Sequence, residues 1–352
     1  MDSGHTISRR VFLFLAVAAA LLGFPIPRRA SGFTIISEAE ENEIGKKADE
    51  EILRRFGRYR DQELQAYVES IGQRLLEGIG PTSFRYSFKI VDIPEVNAMA
   101  LPGGYIYITR GMLAMLNSEA QLAGVLGHEI GHATARHAAK QLTKALGAQI
   151  LSLGLMALSP GGRENSGNWA RVSGAISDHI LLGYGREAEL EADELGLRTA
   201  YRAGYDPREM VAFLRGMKLK ERLEALGYHG FQGTHPETAD RIVKAETMAA
   251  ILTEQGGGSP EIRTNEYKAR LEGLVYGAKQ DNRRLRIYAA KAGETPGSVA
   301  RDVLGDQQLA WQVATLNGIK EATVFREGDR VKLLPPSPED VHGGRRLKLI
   351  PN

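Results

Sequence analysis

The stretch Gly127–His137 reads GHEIGHATARH and holds three of the chain's eight histidines together with one glutamate. His128 and His132 stand four apart, so on a helix both imidazoles project from one face and can share an ion. Glu129, beside His128, can approach a water on that ion without taking a coordination position. Zinc suits such a set because it accepts tetrahedral nitrogen and oxygen ligation with one position kept for water. The surrounding NSEAQLAGVLGHEIGHATARHAAKQL, from Asn117, reads as one continuous helix. Ser118 with Gln121 makes a capping box at its start, and Leu122, Val125, Leu126 and Ile130 supply the apolar face. Gly127 and Gly131 keep side-chain bulk low around the motif.

Two imidazoles need a third ligand. One class of zinc protease uses a histidine six residues after the second, with a glycine midway; here those positions are Ala138 and Ala135, which excludes it. His137 falls about 140° around a continuous helix from His132 and reads as structural, not as a ligand. A second helix, REAELEADELGLRTAYRAGY from Arg186, is closed by Gly204 and Pro207. It puts Glu189 and Asp193 on one face, one turn apart. Glu189 could complete the coordination while Asp193 holds a ligand imidazole by its other nitrogen. A solvated acidic face competes with that reading, because Glu187, Glu191 and Glu194 crowd the same turns, and spacing alone favours it.

The rest of the chain bounds the setting. Its 352 residues are enough for two or three domains, and the formal net charge is +2. Without residues 1–32 the body carries 41 basic and 42 acidic side chains, which leaves no electrostatic footprint for nucleic acid. There are no cysteines, so disulfides, thiolate ligands and an acylated cysteine are excluded. At the N-terminus, SRRVFLFLAVAAALLGFPIP sets two arginines before an apolar run the length of a signal-peptide core. SRRVFL resembles the twin-arginine export signal, with Phe14 where that pattern prefers lysine, and cleavage is expected at Gly32–Phe33. The expectation is a periplasmic or otherwise exported protein, membrane-associated if the signal stays. The apolar Leu146–Leu158 segment reads as a core or lid helix, too short to span a membrane.

Five ordered stretches, NAMALPGG (Asn97–Gly104), YITRGML (Tyr107–Leu113), NSEAQLAGVLGHEIGHATARH (Asn117–His137), GREAELEADELG (Gly185–Gly196) and THPETADRI (Thr234–Ile242), together resemble the HtpX/BepA/Ste-twenty-four-like zinc metallopeptidases, peptidase family M forty-eight. The resemblance implies one Zn2+ per chain held by His128, His132 and Glu189, with Glu129 as catalytic base and Asp193 behind a ligand imidazole. It also implies a cleft bordered by a strand through Asn97, Ala98, Met99 and Ala100 that pairs with extended polypeptide substrates; Met99 stands where an aromatic residue is common. His235 is open to two roles, stabilising the oxyanion or reaching the zinc as a fourth ligand that keeps the enzyme latent, besides simply ordering its loop ahead of Pro236. Arg186 aligns with a family arginine whose role the sequence leaves open.

The fold class expected is α+β: a mainly helical gluzincin-type domain over 33–253 with a small sheet bordering the cleft, following the signal peptide at 1–32. A linker and helix occupy 254–282. A strand–helix–helix–strand pattern over 283–336 resembles a LysM-like module, read either as a peptidoglycan binder or as a unit that packs on the protease or contacts envelope protein; a tail spans 337–352. The function implied is a zinc metalloendopeptidase acting on misfolded or stalled envelope proteins. The alternative is a largely latent, zinc-bound chaperone or assembly factor for outer-membrane proteins.

Overall fold

The computed structural model describes residues 34, 36–80, 82–144, 183–223, 231–236, 239–255, 259–278, 280 and 283–336. The signal-peptide, Leu146–Leu158 and 337–352 readings lie outside the described residues. Among the described residues no helix is long and apolar enough to cross a membrane.

Two amphipathic helices open the body. Helix α1 (Glu38–Phe56) starts on a full capping box, in which Ser37 accepts from Glu40 N and the Glu40 carboxylate accepts from Ser37 N. Helix α2 (Gln62–Leu76) is capped by Asp61 and buries Leu64, Val68, Ile71 and Leu75. A three-stranded sheet comes next, with β1 (Ser87–Val91), β2 (Ala98–Leu101) and β3 (Tyr105–Thr109) in the order β1-β3-β2. β1 runs parallel to β3, with Val91 opposite Thr109, and β2 runs antiparallel to it, with Ala98 opposite Ile108. The β2–β3 connection turns at Gly103 and Gly104, whose φ values of 77° and 87° lie where a side chain is unfavourable.

Side-chain alternation assigns the faces of β2. Ala98 and Ala100 join the main core, whereas Met99 and Leu101 pack with Ala48, Ile52, Val91 and Tyr107 in a second cluster beneath α1. Met99 is therefore a packing residue of the α1 side, whatever its family position usually holds. Thr109 pins the sheet to the adjoining helix: its hydroxyl donates to Glu95 O and accepts from Asn97 N and Met112 N. It thereby fixes both the start of β2 and the first turn of α3 (Arg110–Met115).

Helix α4 (Glu119–Thr134) carries the histidine motif and is buried along almost its whole length. Ser118 caps it by accepting from Gln121 N, but the Gln121 side chain turns to Asn117 N, so only half of the expected box forms. Burying Leu122, Val125, Leu126 and Ile130 contributes roughly 1.5–3 kcal/mol each. The helix is not continuous through His137. It stops at Thr134, Arg136 takes a left-handed φ of 55°, and a new helical segment runs from 137 to 144. The Arg136 side chain accounts for the break: Nε donates to buried Glu41 on α1 (2.7 Å) and Nη2 to Ile36 O (2.8 Å).

Helices α5 (Arg186–Arg202), α6 (Arg208–Leu223), the four-residue α7 (Phe231–Thr234) and α8 (Ala239–Gln255) complete the helical layer. The expected helix after Asn265 is shorter than its pattern implies: α9 covers only Thr264–Ala269 and gives way to β4 (Val275–Tyr276), which pairs with β5 (Arg283–Arg284).

The C-terminal part runs β6 (Arg286–Ala289), α10 (Pro296–Leu304), α11 (Ala310–Asn317) and β7 (Arg330–Leu333), with β6 and β7 antiparallel. It has its own small core of Ala290, Val299, Ala300, Val313, Phe325, Val331 and Leu333. Strand β7 alternates between two duties, because Lys332 turns the other way and is fully buried. Its ammonium donates to the carbonyls of Ala114 (2.7 Å), Met115 (3.4 Å) and Leu116 (2.8 Å) at the end of α3. A cation there answers carbonyls at a helix C-terminus, which have no partner within the helix. Lys332→Met keeps most of the volume and removes every donor, and is expected to cost about 3 kcal/mol. Denaturant unfolding measures it, and an unchanged midpoint would show that these bonds do not hold the two parts together.

Candidate metal and catalytic site

Helices α4 and α5 touch through backbone. A Cβ on Gly127 would lie 2.9 Å from Gly196 O, one on Gly131 2.9 Å from Ala192 O, and one on Gly196 2.7 Å from His128 N. Such distances leave no room for side chains at the crossing, so the glycines of both sequence motifs are the same contact seen from two sides. The contact sets Glu189 against the two histidines. His128, His132, Glu189 and His235 each offer one donor atom, all within 4.8 Å of one another, and all four side chains are buried.

The distances define the cluster. His128 Nε2 is 3.0 Å from His132 Nε2, 3.2 Å from His235 Nδ1 and 3.5 Å from Glu189 Oε2. Glu189 Oε1 lies 3.3 Å from His132 Nε2 and 3.0 Å from His235 Nδ1. His235 comes from the residue after α7. That segment is tied to the sheet by Phe231 N donating to Val96 O (2.7 Å) and the Thr234 hydroxyl donating to Asn97 Oδ1 (3.3 Å). Glu129 stands outside the donor set, with His235 Nε2 3.5 Å from its Oε1.

Behind the donors lie further layers. Asp193 Oδ1 is 2.9 Å from His128 Nδ1. Arg241, fully buried on α8, grips both Asp193 oxygens (2.7 and 2.8 Å), reaches Glu189 Oε2 at 2.8 Å, and donates to the carbonyls of His235 and Pro236 (3.2 Å each). Sequence reasoning assigned Arg241 nothing, although it lies in the THPETADRI stretch; its place there, after His235, was its only signal. Tyr184 was missed as well. Its ring stacks on His132 at 4.2 Å and its hydroxyl donates to Ala100 O at 3.4 Å, on the strand expected to bind substrate. His137 is not a donor to the cluster but is not remote from it either, since its Nδ1 lies 2.9 Å from His132 Nδ1. Arg186 stays at the surface, paired with Asp240.

Electrostatics separates the roles. Burial pushes the Glu129 carboxyl above its usual range, against the pull of His235 and His128, which suits a group that must take up and release a proton. Burial, helped by charge on His128, holds His132 well below the usual histidine value and so neutral, as a ligand must be. Burial would raise Asp193, but Arg241 and His128 keep it low and ionised.

These residues fit a metal ion. Burial alone would lower His128, but hydrogen bonds and charge from Asp193 and Glu189 push its pKa up to about 9. With Asp193 Oδ1 accepting at Nδ1, a cation between His128 Nε2, His132 Nε2 at 3.0 Å and Glu189 would take the place of the proton on Nε2 and be ligated by both imidazoles. Both Glu129 oxygens are buried without a hydrogen-bond partner, which a water held beside the ion would satisfy.

Two imidazoles four apart on one helix, a carboxylate from a second helix and a free glutamate beside them define a metallopeptidase centre. Residues 62–249 match the model of peptidase family M48, and the chain belongs to that family. It is 29% identical over 235 residues to the mitochondrial metalloendopeptidase OMA1 of Schizosaccharomyces pombe (63% of this chain, 64% of that one). It is 38% identical over 183 residues to OMA1 of Arabidopsis thaliana (50% and 34%). It is 30% identical over 196 residues to a putative beta-barrel assembly-enhancing protease of Vibrio cholerae (54% and 40%). The chain thus spans from about a third to under two-thirds of these relatives' lengths.

Gly196→Ala, which drives a methyl into the His128 backbone, is expected to cost about 1–3 kcal/mol and to lower zinc content per chain. Thermal unfolding and metal analysis measure the two; a fully loaded, equally stable variant would refute the backbone contact as the organiser of the site.

Proposed function

We propose that the chain is a zinc-dependent metalloendopeptidase of the cell envelope, with one zinc ion held by His128, His132 and Glu189, that hydrolyses misfolded or stalled envelope proteins. The observation carrying this reading is the buried, unpartnered Glu129 carboxylate beside the donor cluster, a base with a place to act. The envelope setting rests on the export-type N-terminal pattern and on similarity to proteins named beta-barrel assembly-enhancing proteases.

Zinc, when bound, acidifies a coordinated water and polarises a peptide carbonyl. Glu129 takes the water's proton, and its raised affinity for protons lets it pass that proton to the leaving amine. Asp193 and Arg241 hold His128 and Glu189 in place without touching substrate. An extended polypeptide would lie along β2, at Asn97–Ala100, where Ala100 O already accepts a hydrogen bond from Tyr184. The tail module, on this reading, packs on the peptidase as a LysM-like unit and offers a contact for envelope polymers or proteins.

One observation favours the latent, assembly-factor alternative. His235 Nδ1 sits among the donors at 3.0–3.2 Å from Glu189 and His128, a position that supports the fourth-ligand reading over the oxyanion one. A casein-cleavage assay with added zinc separates the readings. Glu129→Gln should retain zinc and lose cleavage by at least about 10³-fold, since only the base is removed; undiminished cleavage would end the proposed mechanism. His235→Ala should raise cleavage if His235 blocks the metal, and lower it by about 10²–10³-fold if it stabilises the oxyanion.

A further inference from the structure

We propose that His137 and Glu191 form, with His132, a directed hydrogen-bond chain that fixes His132 in the tautomer able to bind metal, making His137 a positioning residue for the centre. The inference rests on the metal-binding reading of the site.

The chain has three members. His132 Nδ1 is 2.9 Å from His137 Nδ1, and His137 Nε2 is 3.1 Å from Glu191 Oε2. His137 is buried, while the Glu191 side chain is about half exposed at 53%. The direction of each link is set from the far end. A carboxylate oxygen accepts, so the His137 Nε2 that faces Glu191 Oε2 carries the proton. A neutral imidazole protonated there has a lone pair on Nδ1. That lone pair can accept only from a protonated Nδ1 of His132, which leaves His132 Nε2 bare toward His128 and Glu189.

The two ligand histidines are thus oriented by different devices. His128 meets a buried carboxylate directly, and that carboxylate is clamped by Arg241. His132 meets a second imidazole, which reaches a carboxylate at the surface. Glu189 and Glu191 lie on the same helix, so α5 supplies both a donor to the cluster and the far end of the chain.

The backbone is bent to make this contact. On an unbroken helix His137 would point far from His132. The left-handed Arg136, a conformation that non-glycine residues rarely hold, restarts the helix so that His137 returns over His132. Its guanidinium is anchored on Glu41 and Ile36 O. Strain of this kind persists where the surrounding structure enforces it, and it gathers at functional sites.

The test is zinc affinity of the purified full chain, measured by competition with a chromophoric chelator, with thermal unfolding in parallel. His137→Phe keeps the ring's bulk and removes both nitrogens; affinity should fall about 10–100-fold, the usual effect of removing such a partner. His137→Asn places an amide oxygen near the Nδ1 position and should recover most of that loss. His137→Gln, equally polar but reaching toward the Nε2 position, should not. Phe binding zinc as tightly as the wild type, or Asn and Gln losing affinity equally, would overturn the proposal. If His137→Phe does not fold, the Asn–Gln comparison decides alone. A wild-type chain that binds no zinc would instead sink the metal reading itself.

Discussion

The close approach of two helices is the constraint on which the rest of this structure depends. Gly127 and Gly131 on α4 meet Gly196 and Ala192 on α5 at distances that only backbone can occupy. Helices packed through ordinary side chains lie about 8–10 Å apart, and at that range a short glutamate on one could not reach between histidines of the other. Glycine in a helix interior costs about 1 kcal/mol relative to alanine, and here three such residues stand in two helices. What they make possible is a donor set drawn from both helices, with Asp193 one turn beyond Glu189 and already level with the outer nitrogen of His128. The donors that α4 and α5 contribute, with Asp193 behind them, are thus consequences of a single packing contact.

Much of this was legible in the sequence, because the relevant signals are periodic. Residues four apart on a regular helix share a face whatever the rest of the protein does, so His128 with His132 and Glu189 with Asp193 could be paired before any coordinates. The strand at Asn97–Ala100 came from the resemblance, and β2 covers Ala98–Leu101. Periodicity fails where the backbone departs from the ideal. His137 was placed by counting about 100° per residue along a helix that ends at Thr134, and nothing local announces the left-handed Arg136; its cause is a glutamate 95 positions away. Arg241 was invisible for a related reason, since the carboxylates it holds, Glu189 and Asp193, lie on a distant helix. The acidic crowd on α5 shows a third case: spacing could not say which carboxylates are buried, and the fold takes Glu189 and Asp193 inside while leaving Glu191 at the surface.

Membership in the family fixes the chemistry more firmly than the setting. Glu129, His128, His132 and Glu189 fall within the span of the family match, whereas the envelope reading draws on the N-terminal pattern and on what two similar proteins are named. The site itself carries a regulatory tension: the loop that supplies His235 is bound to the start of β2 through Phe231 and Thr234, and Tyr184 is bound further along the same strand. Both the His235 loop and Tyr184 are therefore held to the same strand, β2.

The position of Lys332 bears on where this protein can be divided. Tyr267, Leu271, Leu274, Leu285 and Leu334 all belong to the core that also holds α2, the sheet and α4, and the Lys332 ammonium ends against the helix after β3. A protease nicking the chain between the helical body and the C-terminal βααβ unit would therefore not release two self-sufficient globules. Separation would leave the carbonyls of Ala114 and Leu116 bare, with an apolar surface beside them, so the fragments should remain associated until denatured. The C-terminal unit is no detachable appendage, and its loss would be felt first in the folding of the peptidase.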